Sequence, residues 1–187
     1  MDDERWEHRA WFGGPAEPPA RLAREGEEVG AEYRTDTYLL TDDGDLLAKL
    51  RGGARYEVKR RTASCDGLER WVMTSSLQFP LGADDAAPVL PDAPASALAD
   101  AGALAAYAAT VSTLTVASVR KHRRRYRLGA AEAEITAVQA NRVVAETVGI
   151  EAAAFADARA AAERLGTIDL PNRDYGAWLR LGDHQRV

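Results

Sequence analysis

Charged side chains recur at every second position through several short segments of this chain, and that spacing belongs to β-strands. Alternate residues of a strand share one face. Lys49 and Arg51 therefore lie together, as do Glu57, Lys59 and Arg61, and Lys121, Arg123 and Arg125. On the first segment Arg5, Glu7 and Arg9 align, and later Glu132 and Glu134 do the same. Apolar residues fill some intervening positions, as Tyr56 and Val58 do beside Glu57 and Lys59. A sheet with one solvated face would give the same alternation. Repetition across four or five strands favours a different arrangement, because like charges on neighbouring strands repel one another. A polyanion held among them would relieve that repulsion, so a closed or strongly curled sheet with a cationic interior fits the pattern.

Breakers and turn residues divide the chain into candidate elements. Glu4 to Phe12 reads as a first strand, stopped by Gly13-Gly14-Pro15. Pro18 and Pro19 precede a short helix over ARLAREGEE. A strand from Glu32 to Thr41 ends at DDGD, and strands Leu46 to Arg51 and Arg55 to Arg61 flank the turn-forming Gly52-Gly53. Glu69 to Phe79 is closed by Pro80, and the Pro- and Asp-rich stretch to Pro94 reads as an exposed linker. Ala93 to Ala109 reads as a core-facing helix, Thr113 to Leu128 as a long strand turned at Gly129, and Glu132 to Val138 and Val143 to Ile150 as two more. EAAAFADARAAAERLG predicts a helix capped by Gly166, and Tyr175 to Leu181 a last short one after Pro171. About eight strands in meander order predict an α+β fold, an eight-stranded antiparallel β-barrel with flanking helices, as a single domain over residues 1–187.

A chain of 187 residues, 46% of them hydrophobic, can bury a substantial core. Its net charge of -5 argues against bulk binding to nucleic acid or an anionic membrane, so a cationic site must be local. VRKHRRRYR (Val119 to Arg127) could form a nucleic-acid patch, with arginines on phosphates and Tyr126 stacked on a base, but the acidity of the rest opposes it. The single Cys65 cannot form an internal disulfide, and MDDERWEHRAW carries acids where a signal peptide is basic, so a cytoplasmic location is expected. No apolar run approaches the roughly 18 residues of a membrane span. His122 lies on the face opposite Lys121 and Arg123, and no zinc spacing, P-loop, G-x-G-x-x-G or G-x-S-x-G occurs. Trp71, Tyr175 and Trp178 read as packing residues.

Six ordered motifs resemble the CYTH domains, or triphosphate tunnel metalloenzymes. They are RTDTYLL (Arg34 to Leu40), LAKLR (Leu47 to Arg51), YEVKRR (Tyr56 to Arg61), VRKHRRRYRL (Val119 to Leu128), AEAEITAV (Ala131 to Val138) and NRDYGAWL (Asn172 to Leu179). The resemblance implies an eight-stranded tunnel whose basic side chains grip a triphosphate or other organic phosphate while acids hold Mg²⁺ or Mn²⁺. By position Lys49, Arg51, Lys59, Arg123 and Arg125 match phosphate-binding residues, and Glu132 and Glu134 the late metal-binding and catalytic acids. Shared parity adds Arg9, Arg34, Arg61 and Lys121 to the phosphate ligands, and the resemblance, through the first-strand signature, implies Glu7 as a further metal ligand. Arg173 could cap the tunnel mouth or pair with a nearby acid.

The chain departs from the family at the first strand, where E-x-E-x-K is replaced by Arg5, Glu7 and Arg9. A cation in place of an acid weakens metal binding. Placing the signature on Glu27, Glu28 and Glu32 instead is hindered by the continuity of Glu32 with RTDTYLL. Two functions follow from the resemblance: metal-dependent triphosphate hydrolysis, or a non-catalytic module that binds phospholigands without full metal binding.

Overall fold

The computed structural model describes residues 4–181. Its elements are β1 (Glu4–Phe12), α1 (Glu17–Glu25), β2 (Glu27–Leu40), β3 (Leu46–Arg51), β4 (Arg55–Cys65), β5 (Leu68–Gln78), α2 (Ala83–Ala86), α3 (Ala101–Ala108), β6 (Thr115–Leu128), β7 (Ala131–Ala140), β8 (Val143–Ala152), α4 (Phe155–Leu165) and α5 (Tyr175–Leu181). The eight strands close into an antiparallel barrel in the order β1-β5-β4-β3-β2-β6-β7-β8. Only β2 to β5 and β6 to β8 run as meanders, which corrects the expected continuous meander. The exceptions fall where the connections are too long to be turns: α1 carries the chain from β1 to β2, and α2 with α3 carries it from β5 to β6.

β1 closes the barrel unevenly. It pairs with β8 from Trp6 to Phe12 but with β5 only from Glu4 to Glu7. Past that point the backbone of Arg9 turns to residues 172–173. Its N–H donates to Asn172 Oδ1 at 2.8 Å, and its carbonyl accepts from the Arg173 N–H at 3.0 Å. The β3–β4 hairpin depends on Gly52 and Gly53, with φ of 58° and 67°, values that a residue bearing Cβ adopts only under strain.

Apolar residues pack on the outside of the barrel and at one end. Leu22 of α1 and Ala158, Ala162 and Leu165 of α4 cover Ile135, Val148 and Ile150. Leu104 and Ala108 of α3 cover Leu39, Ala48, Leu50 and Val58. With outward faces this apolar, the strand segments require cover, and this overturns the exposed linker expected up to Pro94: Leu81, Ala86, Val89 and Leu90 are buried in that same cluster. Each such side chain contributes about 2 kcal/mol. The predicted helix over Ala93 to Ala109 shortens to α3, begun by Asp100, whose carboxylate accepts from the Ala103 N–H at 2.8 Å.

The third cluster seals one barrel end. Tyr175, Trp178 and Leu179 of α5 meet the inner-facing Tyr38, Leu40, Ala117 and Val119, and Trp178 stacks on Trp11 at 4.1 Å between ring centroids. The expected tunnel is thus a cup. Among the described residues no helix is long and apolar enough to cross a membrane.

Candidate functional site

Apolar packing takes two patches of the barrel's outer surface and one end, and the alternating charges singled out above point into the barrel. They line a cavity of about 530 Å³. Among the described residues ten basic and seven acidic side chains line it, a cationic surplus in a chain of net charge -5. Burial grades along the strands: on β6 it falls from Lys121 to Arg123, and Arg125 and Arg127 are exposed at the mouth.

The floor is built around Asp36 and Lys121. Lys121 Nζ donates to Asp36 Oδ2 at 2.8 Å and to the Tyr38 hydroxyl at 2.7 Å, and sits 3.6 Å from the centre of the Tyr175 ring. Arg34 clasps the same carboxylate through Nε at 2.8 Å and Nη2 at 3.2 Å. Burial would raise the Asp36 carboxyl, yet Lys121, Lys49 and Arg34 hold it down to about 2. Burial dominates at Lys121 and pushes its ammonium down to about 7 despite Asp36. Beside this pair, Glu57 receives Lys49 at 3.0 Å and Arg51 at 3.2 Å. Burial lowers the Lys49 ammonium as well, against the pull of Glu57.

Glu134 sits between two guanidinium groups. Oε1 accepts from Arg9 Nη2 at 2.9 Å, and Oε2 accepts from Arg123 Nε. Burial opposes ionisation, but Arg9, Arg123 and Lys121 hold this carboxyl far below the usual carboxylate range. Glu7 accepts from Lys59 Nζ at 2.5 Å. Register sets four glutamates side by side around half the barrel, as Glu7 pairs with Glu69 on β5 and with Glu151 on β8, and Glu151 pairs with Glu132 on β7. Burial, and then the neighbouring Glu7, raises Glu151. Burial also raises Glu69, against Arg61.

The cavity brings together most residues singled out by parity: Glu7, Arg9, Arg34, Lys49, Arg51, Lys59, Lys121, Arg123, Arg125, Glu132 and Glu134 all line it. Arg61 and Arg173 do not. Arg61 reaches the lumen only through Glu69 and otherwise holds Asp45, and Arg173 is an exposed residue whose described bonds are made by its backbone. Sequence reasoning missed Glu57 as a lumen acid, although it stood in the parity set, and missed Glu69 and Glu151 altogether. Glu151 was read as the start of a helix because alanines follow it, whereas β8 runs on to Ala152. Trp71 is buried and also borders the lumen, its Nε1 donating to Glu69 Oε2 at 3.1 Å.

These residues do not make the Mg²⁺ or Mn²⁺ site implied by the resemblance. A hard cation needs several free carboxylate oxygens converging on one point. Both oxygens of Glu134 are already held by arginines, Glu7 is held by Lys59, and Glu132 is exposed at the mouth. Among the described residues no group of three or more His, Cys, Asp or Glu could hold a metal ion.

No protein-family model matches this chain, and no curated protein does. Solved structures do. A Bacillus halodurans protein provisionally described as an adenylate cyclase superposes with a TM-score of 0.54 at 11% identity, over 96% of this chain and 98% of its own. A conserved hypothetical protein of Pyrococcus furiosus gives 0.52 at 17%, covering 90% and 97%, and a Pyrococcus horikoshii protein gives 0.51 at 16%, covering 89% and 99%. Likeness at such identities establishes the fold alone, a closed antiparallel barrel of the kind the resemblance implies.

Proposed function

We propose that the cup, within a single domain spanning residues 1–187, binds a triphosphate or another organic or inorganic phosphate chain. The observation carrying this reading is the excess of basic over acidic side chains inside a chain that is acidic overall. Lys49, Arg51, Lys59, Arg123 and Arg125 contact the phosphates, with Arg125 at the mouth, where no described residue pairs with it. Arginine suits this role because its planar fork meets two phosphate oxygens at once. Phosphate recognition of this kind needs charge and position, not a nucleophile. A cavity of about 530 Å³ in a chain of net charge -5 does not suit duplex nucleic acid, and a chain whose one cysteine needs no oxidising compartment fits the cytoplasm.

Thermal unfolding with sodium tripolyphosphate, against sodium sulfate at equal ionic strength, tests the reading. A ligand at a hundredfold excess over Kd adds about 2.7 kcal/mol, a rise of several degrees in Tm. Lys49→Ala should shrink that rise. An unchanged Tm at low salt refutes binding.

Hydrolysis with Mg²⁺ or Mn²⁺ through Glu132 and Glu134 is the second reading; the row Glu69, Glu7, Glu151 and Glu132 favours it, while Glu134 lies outside that row and is held by Arg9 and Arg123. Phosphate release from tripolyphosphate in either metal is its test, and release that survives Glu134→Gln excludes that residue.

A further inference from the structure

Resting on the phosphate-binding reading, we propose that Arg9, at the place of the signature lysine, joins Arg123 in holding both oxygens of Glu134, so that their fixed positive charge serves in place of a divalent ion and the cup takes its phosphate chain without metal. The geometry begins at Gly149, the register partner of both Arg9 on β1 and Glu134 on β7. A Cβ added at Gly149 would lie 2.7 Å from Arg9 Cζ and 2.8 Å from Nη1, well inside van der Waals contact. Any side chain at position 149 would therefore claim the space filled by the guanidinium. Gly149 is an ordinary strand position without positive φ, so this crowding is the only described reason for glycine there.

Three contacts fix the head of Arg9, and two more hold its backbone. Nη2 donates to Glu134 Oε1 at 2.9 Å, Nη1 approaches Thr147 Oγ1 at 3.5 Å, Cζ lies 4.7 Å from the centre of the Tyr175 ring, and the backbone is held by Asn172 and Arg173. A guanidinium carries five donors, and Glu134 uses one of Arg9's strongly. Arg9 lines the cavity together with Arg123, whose Nε holds the other oxygen of Glu134. Two guanidiniums gripping one carboxylate leave one net positive charge, delocalised, permanent and already desolvated. A metal would have to displace an arginine to reach Glu134, and that displacement would strand a buried charge.

Calorimetric titration of the full chain with sodium tripolyphosphate, once in excess EDTA and once in excess MgCl₂, tests the idea. Binding in EDTA at a Kd equal to or lower than in Mg²⁺ is the expected result, because Mg²⁺ sequesters the free ligand. Binding that needs Mg²⁺, or tightens about tenfold with it, overturns the proposal and leaves the phosphate-binding reading standing. Absence of binding in both buffers defeats that reading too.

Arg9→Ala should weaken binding in EDTA by roughly tenfold or more, the worth of a lost charge-assisted contact. It should also convert the protein to Mg²⁺-dependent binding, and Arg9→Lys should restore part of the metal-free affinity. Gly149→Ala, which displaces the guanidinium without removing it, serves if Arg9→Ala does not fold, and it should show a smaller loss of the same kind. Electron paramagnetic resonance of Mn²⁺ gives a ligand-free readout. The wild-type chain should leave the free-ion signal intact, and a stoichiometric loss of that signal would overturn the proposal.

Discussion

Raising the pH from about 7 to about 9 should stabilise this protein through one residue, Lys121. Its side chain is 3% exposed, and burial brings its ammonium from an ordinary 10.5 down to about 7. In the unfolded chain the same group keeps its proton to about 10.5. Between those values the unfolded state binds more protons, so stability rises with pH, and below about 7 both states are protonated and this contribution is flat. Each pH unit inside the window is worth about 1.4 kcal/mol. Titration is incomplete near the lower edge, so the gain to pH 9 is about 2 kcal/mol. Urea denaturation of the wild-type chain and of Lys121→Met across that range isolates the effect, because the variant lacks the titrating group and keeps the neighbouring Asp36–Arg34 pair. The difference between their unfolding free energies should change by about 2 kcal/mol. Parallel curves would refute the reasoning and mean that Asp36 keeps Lys121 charged at neutral pH.

Asp36 works in the opposite direction: its carboxyl is held at about 2 against an ordinary 3.8, so its stabilisation is present above about 4 and is lost as pH falls towards 2. Acid titration followed by circular dichroism should find about 2 kcal/mol less acid sensitivity in Asp36→Asn, measured from its own neutral baseline. Glu134→Gln should lower stability by roughly 3 kcal/mol in urea melts, since two buried guanidiniums lose their counter-charge, yet tighten tripolyphosphate binding in calorimetry by removing a competing anion. Trp178→Ala should cost about 3 to 5 kcal/mol in the same melts by emptying the plug beneath the floor.

Period-two charge was the most legible feature because it has one physical source: a strand with a polar and an apolar face. It led to the right inner faces on β1, β3, β4, β6 and β7. The hairpin at Gly52-Gly53 and the cap at Gly166, with φ of 71°, were legible because few other residues tolerate such backbone. Pairing order was not legible, since alternation marks a strand without naming its neighbours, and so β1 was misplaced in the ring. Local propensity misled at Glu151, where helix-forming alanines hid the last inward position of β8, and at residues 27–31, where β2 begins five residues before the expected Glu32 across a bulge between Glu28 and Gly30. The closed end could not be foreseen from α5 alone. Its aromatic residues look like any packing helix until Trp11, Tyr38 and Val119 arrive from three different strands.

In the lumen the acids are rivals for the ligand, and this sets what the cup can distinguish. Lys49 already holds Glu57, Lys59 holds Glu7, Lys121 holds Asp36 and Arg123 holds Glu134. An entering phosphate exchanges partners with these pairs instead of filling empty sites. Breaking such a pair alone would strand a buried charge, so the exchange is close to neutral only where a phosphate oxygen takes the place of the carboxylate it displaces. The net attraction then comes from the cationic surplus of the lining. Asp36 and Glu32, on the inward face of β2, diminish it, as does the burial that lowers the ammonium groups of Lys121 and Lys49, while burial acts the other way by raising the carboxyls of Glu69, Glu151 and Asp174. A single phosphate, with at most about two charges, leaves much of that surplus uncovered. A chain of three neutralises it while spanning from Arg125 at the mouth towards Lys49 at the floor. Affinity should therefore climb with the number of linked phosphates more steeply than with any organic group attached to them, and fall with added salt as a screened interaction must.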